Sequence, residues 1–99
     1  MDINVSKEEK TCIIAPVGRV DTLTAPELEQ AVQENAEKCQ KMILDFKDVD
    51  YISSAGLRVI VSAHREMAGK DGMVLRGLNK NVRTIINMTG FNKKLNIEE

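Results

Sequence analysis

Thr24-Ala25-Pro26-Glu27 is a helix start set between two short apolar runs, and no other feature restricts the fold as much. Threonine three residues before glutamate has the form of a capping box, in which each side chain satisfies a backbone N–H that the first turn leaves free. Proline early in that turn costs little, because its missing N–H would have no intrahelical partner. Leu28, Ala31, Val32 and Ala36 follow at the spacing of one apolar helix face. Upstream, Thr11 to Val17 is β-branched and apolar at Ile13, Ile14 and Val17, as a strand should be. Downstream, Met42-Ile43-Leu44 is a continuous apolar run that suits a strand covered on both sides. Strand, helix and strand together imply a right-handed parallel crossover.

The remaining segments extend this unit. Ile3 and Val5 mark a weaker strand, and the polar Lys7-Glu8-Glu9-Lys10 joins it to Thr11–Val17 as a hairpin. Gly18-Arg19-Val20-Asp21 then leaves the strand. Leu57, Ile60, Val61, His64 and Met67-Ala68 keep helical spacing, which predicts a helix over about 55–68 stopped by Gly69. Met73-Val74-Leu75 is another strand. Asn79 caps a third helix with Val82, Ile85, Ile86 and Thr89 on one face and Gly90 at its end. Phe91, Leu95 and Ile97 make a final short strand or packed tail. The order predicts an α/β fold: one domain over residues 1–99, a mixed sheet of about four to five strands packed with helices. With 42% hydrophobic residues in 99, the chain can fill one core.

Charge and composition exclude several functions. The formal net charge is -1 and aromatic residues are 3%, so neither a counterion-displacing grip on nucleic acid nor a stacking platform for single strands is available. Residues 1–50 nevertheless hold 11 acidic and 6 basic residues, and residues 51–99 hold 4 and 8. A protein partner reads such a graded field more naturally than DNA does. No run approaches the length of a membrane span, and Met1-Asp2-Ile3-Asn4 lacks the basic-then-apolar order of a signal peptide, so a soluble, cytoplasmic protein is expected. Cys12 and Cys39 have no CxxC pairing and one histidine, His64, for company, so they read as small hydrophobes and not as metal ligands. Asp45, Asp48 and Asp50 lack a phosphate loop and read as a solvated loop, so neither metal nor cofactor is expected.

Ser53 and Ser54 stand at the helix N-terminus that precedes Leu57. Serine there is a preferred cap, worth about 0.5–2 kcal/mol over alanine, and Ser54→Ala is expected to lose about 1 kcal/mol. A phosphorylated serine is the functional reading, since a phosphate meets free N–H groups and the positive dipole end. Gly56 is expected to leave room for a kinase or a partner backbone. Nucleophilic catalysis lacks a base: His64 lies ten residues along the same helix, about 15 Å away at 1.5 Å per residue. The chain is not expected to be an enzyme.

Leu44-Asp45-Phe46-Lys47-Asp48-Val49-Asp50-Tyr51-Ile52-Ser53-Ser54-Ala55-Gly56-Leu57-Arg58-Val59 resembles the signature of the STAS domain in bacterial anti-sigma factor antagonists. Gly18-Arg19-Val20-Asp21 resembles that family's second motif, and Val82 to Phe91 its last helix and following turn. The resemblance implies a STAS-like α/β domain that binds an anti-sigma factor with serine kinase activity and so frees a sigma factor. It further implies that the kinase phosphorylates a serine, breaking the complex, and that a PPM-type phosphatase reverses this. Placing Gly56-Leu57 on the family's Gly-Leu puts the acceptor at Ser54, with Asp21, Ser53, Ala55, Gly56, Leu57 and Arg58 as partner-binding neighbours. Asp21 maps to the family's aspartate near the phosphoserine, and its other reading is that it caps the turn before Thr24. Ser53 stands where the family often has aspartate. Two alternatives stay open: a STAS interaction subunit of another assembly (lipid transport or a stress-signalling scaffold) that is never phosphorylated, and a small nucleotide-binding protein, supported only by Asp21 and the helix N-terminus.

Overall fold

The computed structural model describes residues 1–98; Glu99, the last residue of the expected domain, lies outside the described residues. The elements are β1 (Asp2–Glu8), β2 (Thr11–Val20), α1 (Ala25–Ala36), β3 (Lys41–Asp45), β4 (Val49–Ile52), α2 (Ser54–Met67), β5 (Met73–Arg76), α3 (Lys80–Thr89), a 3-10 turn (Phe91–Lys93) and β6 (Ile97–Glu98). The sheet runs β1-β2-β3-β5-β6, with β4 paired to β2 off that path. β1 is antiparallel to β2 and every other pairing is parallel, so the sheet is mixed as expected.

β2 continues to Val20, past the expected end at Val17. Thr11–Ile14 pair with β3, whereas Gly18–Val20 pair with β4. The change of partner falls at Gly18, where φ is 99°, a left-handed value that glycine adopts freely. The register shifts between Gly18 and Arg19, so this glycine moves the strand onto a new neighbour and does not end it. β4 itself brings the sheet to six strands. It has no period-two signal, because Val49 and Ile52 are buried while Asp50 and Tyr51 between them face solvent.

From β2 each helix leads to a parallel strand one place further in the same direction, and right-handed crossovers therefore set all three helices on one face. Burial follows. Ile14, Leu44 and Leu75 are aligned across β2, β3 and β5 and have no exposed surface, each contributing about 1.5–3 kcal/mol of apolar burial. Ile43 points the other way and is only half-buried, which corrects the expectation of a strand covered on both sides.

The capping box at Thr24 does not form. Thr24 has helical backbone angles and makes no side-chain cap bond; its hydroxyl donates to the Arg19 carbonyl (2.7 Å) and accepts from the Asp21 amide (2.9 Å). Glu27 instead accepts from the Met1 amine at 3.0 Å. The turn out of β2 competes for the threonine and wins it. At the other end of α1, Lys70 donates to the carbonyls of Ala36 and Cys39, placing a cation at the negative end of the helix dipole.

Candidate functional site

β2 and β4 end side by side, and the Ser53 amide donates to the Val20 carbonyl at 2.8 Å. This bond fixes where α2 begins. Ser53 has extended backbone angles and its Oγ accepts from the Gly56 amide at 3.4 Å, while its carbonyl accepts from the Leu57 amide at 3.0 Å. Ser53 is therefore the N-cap. Ser54 is the first helical residue, exposed, with its hydroxyl in no hydrogen bond among the described residues. The expected loss of a cap in Ser54→Ala is corrected, because the cap belongs to its neighbour.

Gly56 is also reassigned. A Cβ built on it would lie 2.6 Å from a carbon of Ile52, 2.8 Å from one of Val20 and 3.0 Å from the Val20 carbonyl. It faces the sheet, not a partner, and its lack of a side chain lets α2 start against the ends of β2 and β4. Leu57 is buried beside it. The proposed partner-binding residues thus fall into three groups: Ser54 and Arg58 exposed, Asp21, Ser53 and Ala55 half-buried, Gly56 and Leu57 buried.

Asp21 follows Val20 directly and so lies at the same sheet edge as Ser53. Its Oδ1 accepts from the amides of Leu23 (2.9 Å) and Thr24 (3.1 Å), the geometry of an aspartate turn. The Thr24 amide, with help from Leu23, the Thr24 hydroxyl and Arg19, holds the carboxyl below its ordinary value. Among the described residues no bond joins Asp21 to either serine; its partners are those of its own turn. Arg19 stacks on Tyr51 at 4.3 Å from the ring centre, a contact that sequence spacing gave no means of finding. A cleft of about 170 Å³ separates this turn from α2, with Thr22, Pro26 and Glu29 on one side and Ala55 and Arg58 on the other.

The Asp45 carboxylate is buried, accepting from Lys47 N (3.1 Å) and from Arg76 (3.3 Å), while Asp48 and Asp50 are exposed. Among the described residues no three His, Cys, Asp or Glu side chains gather as metal ligands. Cys12 and Cys39 are in the core, and burial pushes the Cys12 thiol up to about 11. No described helix is long and apolar enough to cross a membrane. The larger feature that motif reading missed is a groove of about 660 Å³ running from Ser54 along α2 past Arg58, Val61 and Arg65 to Phe91. Its signal was present in the spacing 54, 58, 65, an exposed polar stripe that borders the apolar one at the half-buried Val61.

A family model described as the STAS domain matches residues 2–99. At 31% identity over 93 residues the chain is similar to a protein of Bordetella bronchiseptica named as an anti-sigma factor antagonist, BtrV, with 92% of this chain and 80% of that one covered. It is 24% identical over 98 residues to the anti-sigma-B factor antagonist of Bacillus subtilis, covering 98% of this chain and 90% of the other. The crystal structure of an anti-sigma factor antagonist from Mycobacterium paratuberculosis superimposes with a TM-score of 0.89, over 97% of this chain and 83% of that one, at 23% identity; the fold is shared.

Proposed function

The chain belongs to the STAS domain family, and from that premise we propose that it is an anti-sigma factor antagonist switched by phosphorylation of Ser54. In this reading the unmodified protein, a cytoplasmic regulator and not an enzyme, binds an anti-sigma factor that is also a serine kinase and so releases a sigma factor. The kinase moves the γ-phosphoryl group of ATP to Ser54 Oγ, and ADP and the hydroxyl proton leave. A PPM-type phosphatase hydrolyses the ester and restores the hydroxyl.

The observation that carries the reading is the division of labour between the two serines. Ser53 caps α2, so Ser54 is free to react without taking a bond from the helix. A phosphate on Ser54 would add about −1.5 to −2 charges beside the first-turn amides, which favours it locally. Arg58 stands one turn further on the same face, at the i+4 spacing that suits an ion pair. Asp21, at the same edge, adds negative charge nearby, so the phosphorylated surface presents a changed field to the partner.

Incubation with the cognate anti-sigma kinase and ATP tests the assignment. Peptide mass mapping should find one phosphate, on Ser54. A phosphate on Ser53 alone would reject Ser54 as the acceptor, and no phosphate with a verified partner would reject the switch and favour a STAS subunit that is never phosphorylated.

A further inference from the structure

The groove along α2 continues past the switch. Its first part has an apolar floor of Leu57, Val61 and Phe91, with Arg58 and Arg65 on the rim. A second part, about 360 Å³, shares Val61, Arg65 and Phe91 with the first and adds His64, Lys94 and Leu95. The two adjoin at these shared residues. Among the described residues Glu66 is the single acid on their walls, against Arg58, Arg65 and Lys94. None of these three cations has an ion pair among the described residues. The Nδ1 atom of His64 is buried there without a hydrogen-bond partner.

We propose that this groove seats an acidic amphipathic helix of the protein partner, apolar side down, with carboxylates one heptad apart meeting Arg58 and Arg65. The inference rests on the reading that the partner is a protein, and names the part of it that docks. The two arginines are two turns apart on one face of α2, about 10.5 Å along the axis. That is the repeat with which a packed helix presents equivalent side chains. The apolar floor supplies the burial and the rim supplies orientation, as in other helix-in-groove complexes. Three of the eight basic residues of the second half, Arg58, Arg65 and Lys94, line the groove. A bilayer or a nucleic acid is a poorer occupant, because a net charge of -1 adds no general attraction to phosphates beyond the groove.

The probe is a synthetic helical peptide of about 18 residues, long enough for five turns, with leucines on one face and glutamates a heptad apart beside them. A second peptide carries lysines at the glutamate positions. Titrated into the isotope-labelled full chain, the glutamate peptide should shift amides of residues 57–65 and 91–95, and bind about tenfold or more tightly than the lysine peptide. The pair Arg58→Glu and Arg65→Glu, both exposed, should reverse that preference, and Arg65→Glu alone should weaken the glutamate peptide by several-fold, on the order of the loss of one such rim contact. Equal binding of the two peptides, shifts centred elsewhere, or groove shifts produced only by phosphatidylglycerol vesicles would overturn the proposal. No arm uses a kinase or a phosphate, so failure here and failure of Ser54 phosphorylation are separately readable.

Discussion

Adjacent serines at 53 and 54 look interchangeable in sequence, but their backbone angles separate them. Ser53 is extended and caps; Ser54 is helical and exposed. Ser53→Ala should therefore lose about 1 kcal/mol in denaturant unfolding, and Ser54→Ala less than about 0.5 kcal/mol. A larger loss in the Ser54 variant would contradict the assignment of the cap. Asp21 lends itself to a pH test. Its carboxyl is held low by the amides of its turn, so the stability it contributes is complete above its unfolded value, about 3.9, and disappears as pH falls through the lower folded value. Wild type should lose stability in that acid window more steeply than Asp21→Asn, whose amide oxygen can still accept from Leu23 and Thr24. Parallel unfolding curves for the two below pH 4 would show that the charge is immaterial to the turn. Near neutral pH Asp21→Asn lacks that contribution, so its partner binding is compared with wild type at a temperature where both are fully folded, and a change there reports the charge.

At the scale of elements, the entry into α2 depends on Gly56. Gly56→Ala places a methyl group against Ile52, Val20 and the Val20 carbonyl, and overpacking of this kind costs about 1–3 kcal/mol. Denaturant unfolding of that variant should show the loss, and unchanged stability would mean that α2 can lift from the sheet without cost. This residue also marks the limit of motif reading, which gave its small size to a partner when the neighbours that need it are 36 and 4 positions back in the chain. Helices were legible because their apolar stripes repeat locally: α2 and α3 begin and end within a residue or so of expectation. The false capping box and the hidden β4 share one cause. Thr24 was taken by Arg19 and Asp21, and Val49–Ile52 was recruited by the far end of β2, both tertiary choices that a local window does not contain. Of the candidate site, the motif located Ser54 and the edge shared with Asp21, whereas the groove needed Phe91 and Lys94, which the last turn folds back onto α2.

Over the whole molecule, the sheet arranges every candidate feature around one end of α2. The ends of β2 and β4 set its start, the Asp21 turn flanks it, and the cationic groove leads away from it. The proposed modification at Ser54 thus lies between the Asp21 turn and the cationic groove, where a partner spanning both would feel it. The affinity of the purified anti-sigma kinase for wild type, Ser54→Ala and Ser54→Asp, without ATP, tests this most directly. Alanine should bind as wild type does, since neither cap nor charge is altered. Aspartate should bind at least about tenfold more weakly, through repulsion and the desolvation of an added charge at the interface. Equal affinities for all three would contradict the placement of the switch at this helix end.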